Sequence, residues 1–199
     1  MAQVSRKYPK GESPRERIFD AARRLFGTKG FHPTTIAELA GEARVSMGQL
    51  YRHFDSKDAI IAAIAEQESQ TRLAAMHRIF DGLERKEYTT LEAVKAIADL
   101  QAENVDAGLF YEILAEGARN PAVATLLRRL TEYFQDCMRR LALLARPDAQ
   151  ADELEAYVEI MTACFIGLGY RQLLSPSDDV ERTSQITACL MMRTLGLPV

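Results

Sequence analysis

Long apolar runs, clustered cysteines and catalytic signature motifs are all missing from this 199-residue sequence, and each omission removes a class of protein. No apolar stretch reaches the roughly 18 to 20 residues that a membrane-spanning helix needs, and the start MAQVSRKYPK lacks the apolar centre of a secretory signal. A cytoplasmic protein with no membrane partner is expected. Cys137, Cys164 and Cys189 stand singly inside apolar helical patterns, without a CxxC or Cys/His spacing, so buried structural thiols are expected and no metal site. There is no glycine loop to cradle a phosphate, no GxSxG, no HExxH, and there are only three histidines. An enzyme is therefore not expected, nor a cofactor. Internal repeats and low-complexity tracts are also missing.

What is present is a chain with 47% hydrophobic residues, enough for one soluble domain with a full core or two small ones packed together. The formal net charge of -3 argues weakly against a nucleic-acid partner, because displacing condensed counterions takes Lys and Arg. Its distribution reverses that argument. Residues 1–60 hold 11 Lys or Arg against 7 Asp or Glu, whereas residues 61–199 hold 14 against 21. A basic end and an acidic body point to two different tasks.

Helical period runs through every long segment and sustained strand alternation is nowhere found, so the fold expected is all-α with about nine helices. Residues 1–12 read as a basic flexible arm. Ser13-Pro14-Arg15-Glu16 combines an N-cap, a first-turn proline and the acid of a capping box, opening a helix with a buried stripe of Ile18, Ala22, Leu25 and Phe26; Gly30 stops it. Thr35-x-x-Glu38 and Ser46-x-x-Gln49 open two short helices, the second ending near Arg52 or His53. A long helix then begins at Asp55 or Ser56 and runs to about Asp81. Further helices are expected from the Thr89-x-x-Glu92 box, with Val94, Ile97, Ala98 and Val105 inward; from about Leu109 to Ala118; and from Asn120-Pro121 to the break at Arg146-Pro147-Asp148. The last two span roughly residues 151–174 and 178–195, separated by Ser175-Pro176-Ser177.

Two short helices joined by a tight turn form the layout that lets one helix enter a major groove while the other braces the backbone. Leu50 and Phe54 would anchor the reading helix, Met47 to His53, leaving Met47, Gln49, Arg52 and His53 outward. Gln49 can pair bidentately with adenine, Met47 can lie on a thymine methyl, and Gly48 lets the backbone approach base edges. Tyr51, His53 and Lys57 suit phosphate contacts, as do the hydroxyls and amides of Thr34 and Thr35 at a helix start.

The run TTIAELAGEARVSMGQLYRHFDSKDAI resembles the signature of the TetR family of ligand-responsive repressors. Thr34, Thr35, Ala40, Ala43, Val45, Ser46, Gly48, Leu50, Tyr51, His53, Phe54, Ser56 and Lys57 fall on that pattern, and with the first helix the match covers about residues 13–61. One departure is Arg44, where the family often has Gly; the turn is then expected to demand less of φ, and Arg44 itself can reach a phosphate or a guanine. The resemblance implies a DNA-binding domain over residues 13–56 and a regulatory and dimerisation domain over 57–199. It also implies double-stranded operator DNA of near-palindromic sequence as partner, contacted through Tyr51, His53 and Lys57 on the backbone and Met47, Gly48 and Gln49 near the bases. The plainer alternative is three packed amphipathic helices with a solvated basic face.

For the acidic body, the resemblance implies that the last two helices pair with those of a second copy in a homodimer. Ala163, Gly167 and Gly169 would allow close approach, with Ile186, Ala188, Leu190 and Met191 on the last helix; packing within one chain is the alternative. It further implies an apolar cavity for an unidentified small-molecule effector, with His77, Asn104, Tyr111, Glu112, Tyr133, Cys137, Met161, Cys164 and Phe165 as candidates. Each has an ordinary reading too: Glu112, for example, could simply pair with Arg119. The resemblance also implies that the long fourth helix acts as a pendulum that spreads the reading heads when ligand binds. A DNA-binding adaptor without a ligand is the competing function, and a helical enzyme a more distant one.

Overall fold

The computed structural model describes residues 13–102, 107–174 and 179–198. Nine helices and no strand run through them: α1 (Pro14–Lys29), α2 (Ile36–Ala43), α3 (Met47–His53), α4 (Lys57–Glu84), α5 (Thr90–Ala102), α6 (Ala107–Gly117), α7 (Pro121–Ala145), α8 (Ala151–Leu174) and α9 (Val180–Thr194). The basic arm, Asn104, Val105 and the Ser175-Pro176-Ser177 break lie outside the described residues.

Side-chain capping fixes most of the helix starts. Ser13, Thr35, Ser46 and Thr89 each accept from the amide three residues on, and the Glu or Gln there accepts the capping residue's own N–H. Asn120 receives the amides of Ala122 and Val123, Ser56 that of Ala59, and Asp179 that of Arg182. Gly30 ends α1 at φ 97° and ψ 156°, a conformation only glycine adopts without strain. The fourth helix, expected to run to about Asp81, continues to Glu84 with Gly82 inside it. A Cβ there would come within 2.6 Å of the Tyr88 ring, so Gly82 makes room for the chain folding back beyond Glu84.

The chain divides into two compact units. One holds the described residues up to 67 together with 108–124, and the other those of 68–107 and 125–199. In the first, Ile18, Phe26, Phe31, Leu39, Leu50, Ile60, Ile61 and Ile64 are fully or almost fully buried. In the second, α5 lies against α9 and α8 over a core that includes Phe80, Ile97, Phe134, Met138, Leu141, Phe165 and Met191. Burying side chains of this size contributes about 1.5 to 3 kcal/mol each, and that burial sets the helix faces. The expected boundary at residue 56 places all of α4 in the body, whereas the packing assigns residues 57–67 and the whole of α6 to the N-terminal unit, apart from Ala107 at its start. No helix among the described residues is long and apolar enough to cross a membrane.

Candidate nucleic-acid interface

The turn between α2 and α3 is a left-handed cap. Arg44 has φ 54° and ψ 48°, its N–H donates to the Gly41 carbonyl at 3.2 Å, and the Val45 N–H donates to Ala40 at 3.0 Å. The expectation that Arg44 relaxes the demand for positive φ is therefore overturned: those two hydrogen bonds still impose the left-handed conformation, and a residue with a Cβ adopts it. The Arg44 carbonyl in turn accepts from the Arg17 guanidinium at 3.2 Å, which ties the turn to α1.

Beyond the turn, α3 is anchored by Leu50, which is fully buried, and by Phe54, whose ring lies under the Arg15 guanidinium at 5.4 Å. Met47, Gly48, Tyr51, Arg52 and His53 are all exposed on the short helix. Gln49 is half-buried for a definite reason. Its Oε1 accepts the Ser46 N–H at 3.0 Å while its own N–H donates to Ser46 Oγ at 3.1 Å. An NH2 turned toward Ser46 would set donor against donor, so oxygen is the atom held in the cap. The bidentate pairing expected with adenine needs that same oxygen, so in this geometry Gln49 has only its Nε2 donors to offer.

Three of the expected phosphate contacts are already engaged inside the protein. Thr34 is 1% exposed and its hydroxyl donates to the Gly30 carbonyl at 2.7 Å, which removes it from any DNA surface. The Thr35 amide and hydroxyl both donate to Glu38 Oε2, at 2.8 and 2.9 Å, so a phosphate would have to displace a carboxylate. The Lys57 ammonium donates to the carbonyls of Phe31, His32 and Thr34 at 2.9, 3.2 and 3.1 Å and sits 4.5 Å from the Phe31 ring centroid. All three of its N–H groups have partners.

The exposed face of α2 carries Glu38 and Glu42, an unfavourable sign beside phosphates. α1 offsets both: Lys29 bonds Glu38, and Arg24 bonds Glu42 at 3.0 Å. The Lys29 hydrogen bond, with help from the Thr35 amide and hydroxyl, holds the Glu38 carboxyl down at about 2. These α1 cations had not been singled out as site residues, although the Glu38 and Glu42 spacing already placed two acids on one helix face.

Residues 18–64 match the sequence profile described as bacterial regulatory proteins of the tetR family. That segment is a TetR-type N-terminal domain. Over 130 residues it is 36% identical to the HTH-type transcriptional regulator UidR of Escherichia coli K12, a stretch that covers 63% of this chain and 64% of that protein's length. The TetR-like fold extends beyond that stretch: a bacterial regulatory protein of the tetR family from Rhodococcus RHA1 superposes with a TM-score of 0.73 at 21% identity, covering 94% of this chain and 100% of that one. A putative transcriptional regulator from Saccharomonospora viridis, solved in complex with choline, gives 0.72 at 17% identity, covering 90% and 95%. The TetR-family relatives are regulators rather than enzymes.

The residues expected to line an effector pocket fall in several environments. Tyr111 and Glu112 belong to the N-terminal unit, and Glu112 accepts the Phe31 N–H at 2.8 Å instead of pairing with Arg119. Arg119 lies near Glu116, at 3.7 Å. In the second unit, the exposed His77 ring has Nδ1 2.8 Å from Tyr133 Oη. Burial pushes the Cys137 thiol up to about 11 and raises the Tyr133 phenol as well. Cys137, Met161 and Phe165 are core residues, while Cys164 is exposed on α8, against the expectation of a buried thiol.

The expected dimer residues also divide. Ala163, Gly167, Ile186 and Leu190 are exposed; Gly169, Ala188 and Met191 are buried within their own chain and have no free surface for a partner. A Cβ at Gly169 would come within 3.4 Å of the Gln101 carbonyl, so its small size serves the α8–α5 contact. Ile160, Ile166, Tyr170 and Leu174, at 52%, 53%, 52% and 64% exposure, extend the apolar face of α8 and had not been expected there.

Proposed function

We propose that this chain is a DNA-binding transcription regulator of the TetR family, acting in the cytoplasm as a homodimeric repressor that releases a near-palindromic operator when a small molecule binds its C-terminal part. The observation that carries the DNA-binding reading is α3: a two-turn helix, capped at Ser46, anchored by Leu50 and offering Met47, Gly48, Tyr51, Arg52 and His53 outward. A helix this short reads few base pairs, so useful selectivity requires two copies and a two-fold-related site.

The exposed apolar faces of α8 and α9, with Ile160, Ile166, Tyr170, Ile186 and Leu190, support pairing with a second copy. The effector reading draws on the resemblance to the TetR family and on the polar His77–Tyr133 pair of the second unit. Glu112 is not part of it, because its carboxyl is committed to the Phe31 amide. A coupling of about 1 to 3 kcal/mol would weaken operator affinity about 5 to 150 fold.

Selection from random oligonucleotides at moderate salt tests the core of this proposal. An inverted repeat should emerge, and recovery of no preferred sequence would overturn it. Sedimentation should give a dimer at micromolar concentration and a monomer for Ile166→Glu, with operator binding lost in parallel. A compound that raises the melting temperature and also releases the operator would support the repressor reading over a ligand-free adaptor, whereas thermal stabilisers that never change operator affinity would favour the adaptor.

A further inference from the structure

The loop that carries the chain from Gly30 into α2 is held from two sides. On its carbonyl side stands the Lys57 ammonium, with its three donated hydrogen bonds. On its amide side, the Phe31 N–H donates to Glu112 Oε2 of α6 at 2.8 Å across 81 residues of sequence. The other carboxyl oxygen of Glu112 lies against Gly30, 3.5 Å from where a Cβ would stand. One turn along α6, Glu116 Oε2 approaches His32 Nε2 to 3.3 Å, within ion-pair range but without the alignment of a hydrogen bond.

α6 is seated closely enough to fix these carboxyls. A Cβ on Gly108 would come within 2.5 Å of the Gly27 carbonyl oxygen, and Leu109 and Ile113 are buried. Phe31 is itself 2% exposed, edge-on to Phe26 at 5.1 Å, so the loop has little room to settle elsewhere while both clamps hold. Phe31 stands five residues before Ile36, the first residue of α2, and α2 in turn carries the Arg44 cap from which α3 departs.

We propose that Glu112 is a positioning residue for DNA recognition: by holding the Phe31 amide it sets the path of the chain into α2, and so the presentation of α3, without touching nucleic acid. The proposal rests on the reading of α2 and α3 as a DNA interface. An acidic residue on α6 thereby takes a role that neither phosphate contact nor ligand binding describes.

The test uses the full chain and the inverted repeat that wild type selects, with Glu112→Met and Glu112→Ala, which lose the acceptor, and Glu112→Gln, whose amide oxygen can accept the same N–H. The apolar variants should bind about tenfold more weakly, as for the loss of one charge-assisted hydrogen bond. The slope of affinity against salt should not change, because no phosphate contact is lost. Glu112→Gln should recover most of the affinity, and hydrogen exchange at the Phe31 amide should be fast in the apolar variants and protected in the glutamine one. Binding within twofold of wild type in an apolar variant, a glutamine variant as weak as those, or a shallower salt slope would each overturn the inference. If one apolar variant fails to fold, the other decides. If both fail, Glu112→Gln decides by its affinity and its Phe31 protection. A wild-type chain that selects no site overturns the DNA reading along with it, whereas wild-type binding that Glu112→Met leaves intact overturns only the role given to Glu112.

Discussion

Replacing Lys57 with methionine separates two roles that the sequence motif leaves together. As a phosphate contact, Lys57 would release about one counterion, and its loss would reduce the slope of log affinity against log salt by about 0.9. The structure gives its ammonium three carbonyl partners at 2.9, 3.1 and 3.2 Å and the face of Phe31 at 4.5 Å. Methionine keeps most of the stem and removes all three donors, leaving the Phe31 and Thr34 carbonyls part-buried with a partner lost. A hydrogen bond to a charged group contributes about 1.5 to 3 kcal/mol, but three that share one ammonium do not add. A loss of about 2 to 3 kcal/mol follows, or a fall of about 4 to 12 °C in melting temperature for a chain of this size. The assay pairs thermal unfolding with operator titrations from 50 to 200 mM salt, about a fourfold range. Lower stability with an unchanged salt slope is expected. A slope reduced by about 0.9 with melting temperature unmoved would refute the structural role of Lys57.

Glu in place of Gln49 keeps an acceptor for the Ser46 N–H and removes the Nε2 donors, so Gln49→Glu should leave stability within about 0.5 kcal/mol and change base preference at one position of each half-site in a repeated selection. An unaltered consensus would show that Gln49 does not read bases. Arg44→Gly should stabilise the protein by up to about 1 kcal/mol in urea titration, since glycine meets φ 54° without strain; destabilisation would contradict the left-handed cap. Acid should loosen the α1–α2 contact through Glu38. Its folded value of about 2 lies below the ordinary 4.5, so the stability it adds is complete above about 4.5 and drains away as pH falls through about 2. Glu38→Gln should flatten the urea midpoint across that window, and parallel curves would show that the Lys29 and Thr35 bonds contribute nothing.

Local rules made much of the molecule legible in its sequence. Ser13, Thr35, Ser46 and Thr89, each followed three residues later by Glu or Gln, mark helix starts through contacts within a single turn, and such contacts do not depend on the rest of the fold. The helix Met47–His53 was legible for the same reason: Leu50 is its buried apolar anchor, and its exposed neighbours follow from the helical period. Where a side chain's partners lie far along the sequence, the same rules fail. Lys57 and Thr34 look like phosphate ligands until the Gly30–Thr34 carbonyls are seen to occupy them. Gly169, Ala188 and Met191 look available to a second subunit until they are seen to be buried within their own chain, where α5 packs against α8 and α9.

By itself, then, the order of residues determined the helices among the described residues, most of their caps and the exposed face of α3, because those depend on spacing and on hydrogen bonds reaching one turn. Only the tertiary structure decided which polar groups stay available: whether a lysine is met by a backbone carbonyl, or a glutamate on α6 by an amide 81 residues away, is settled by the packing of helices remote in sequence.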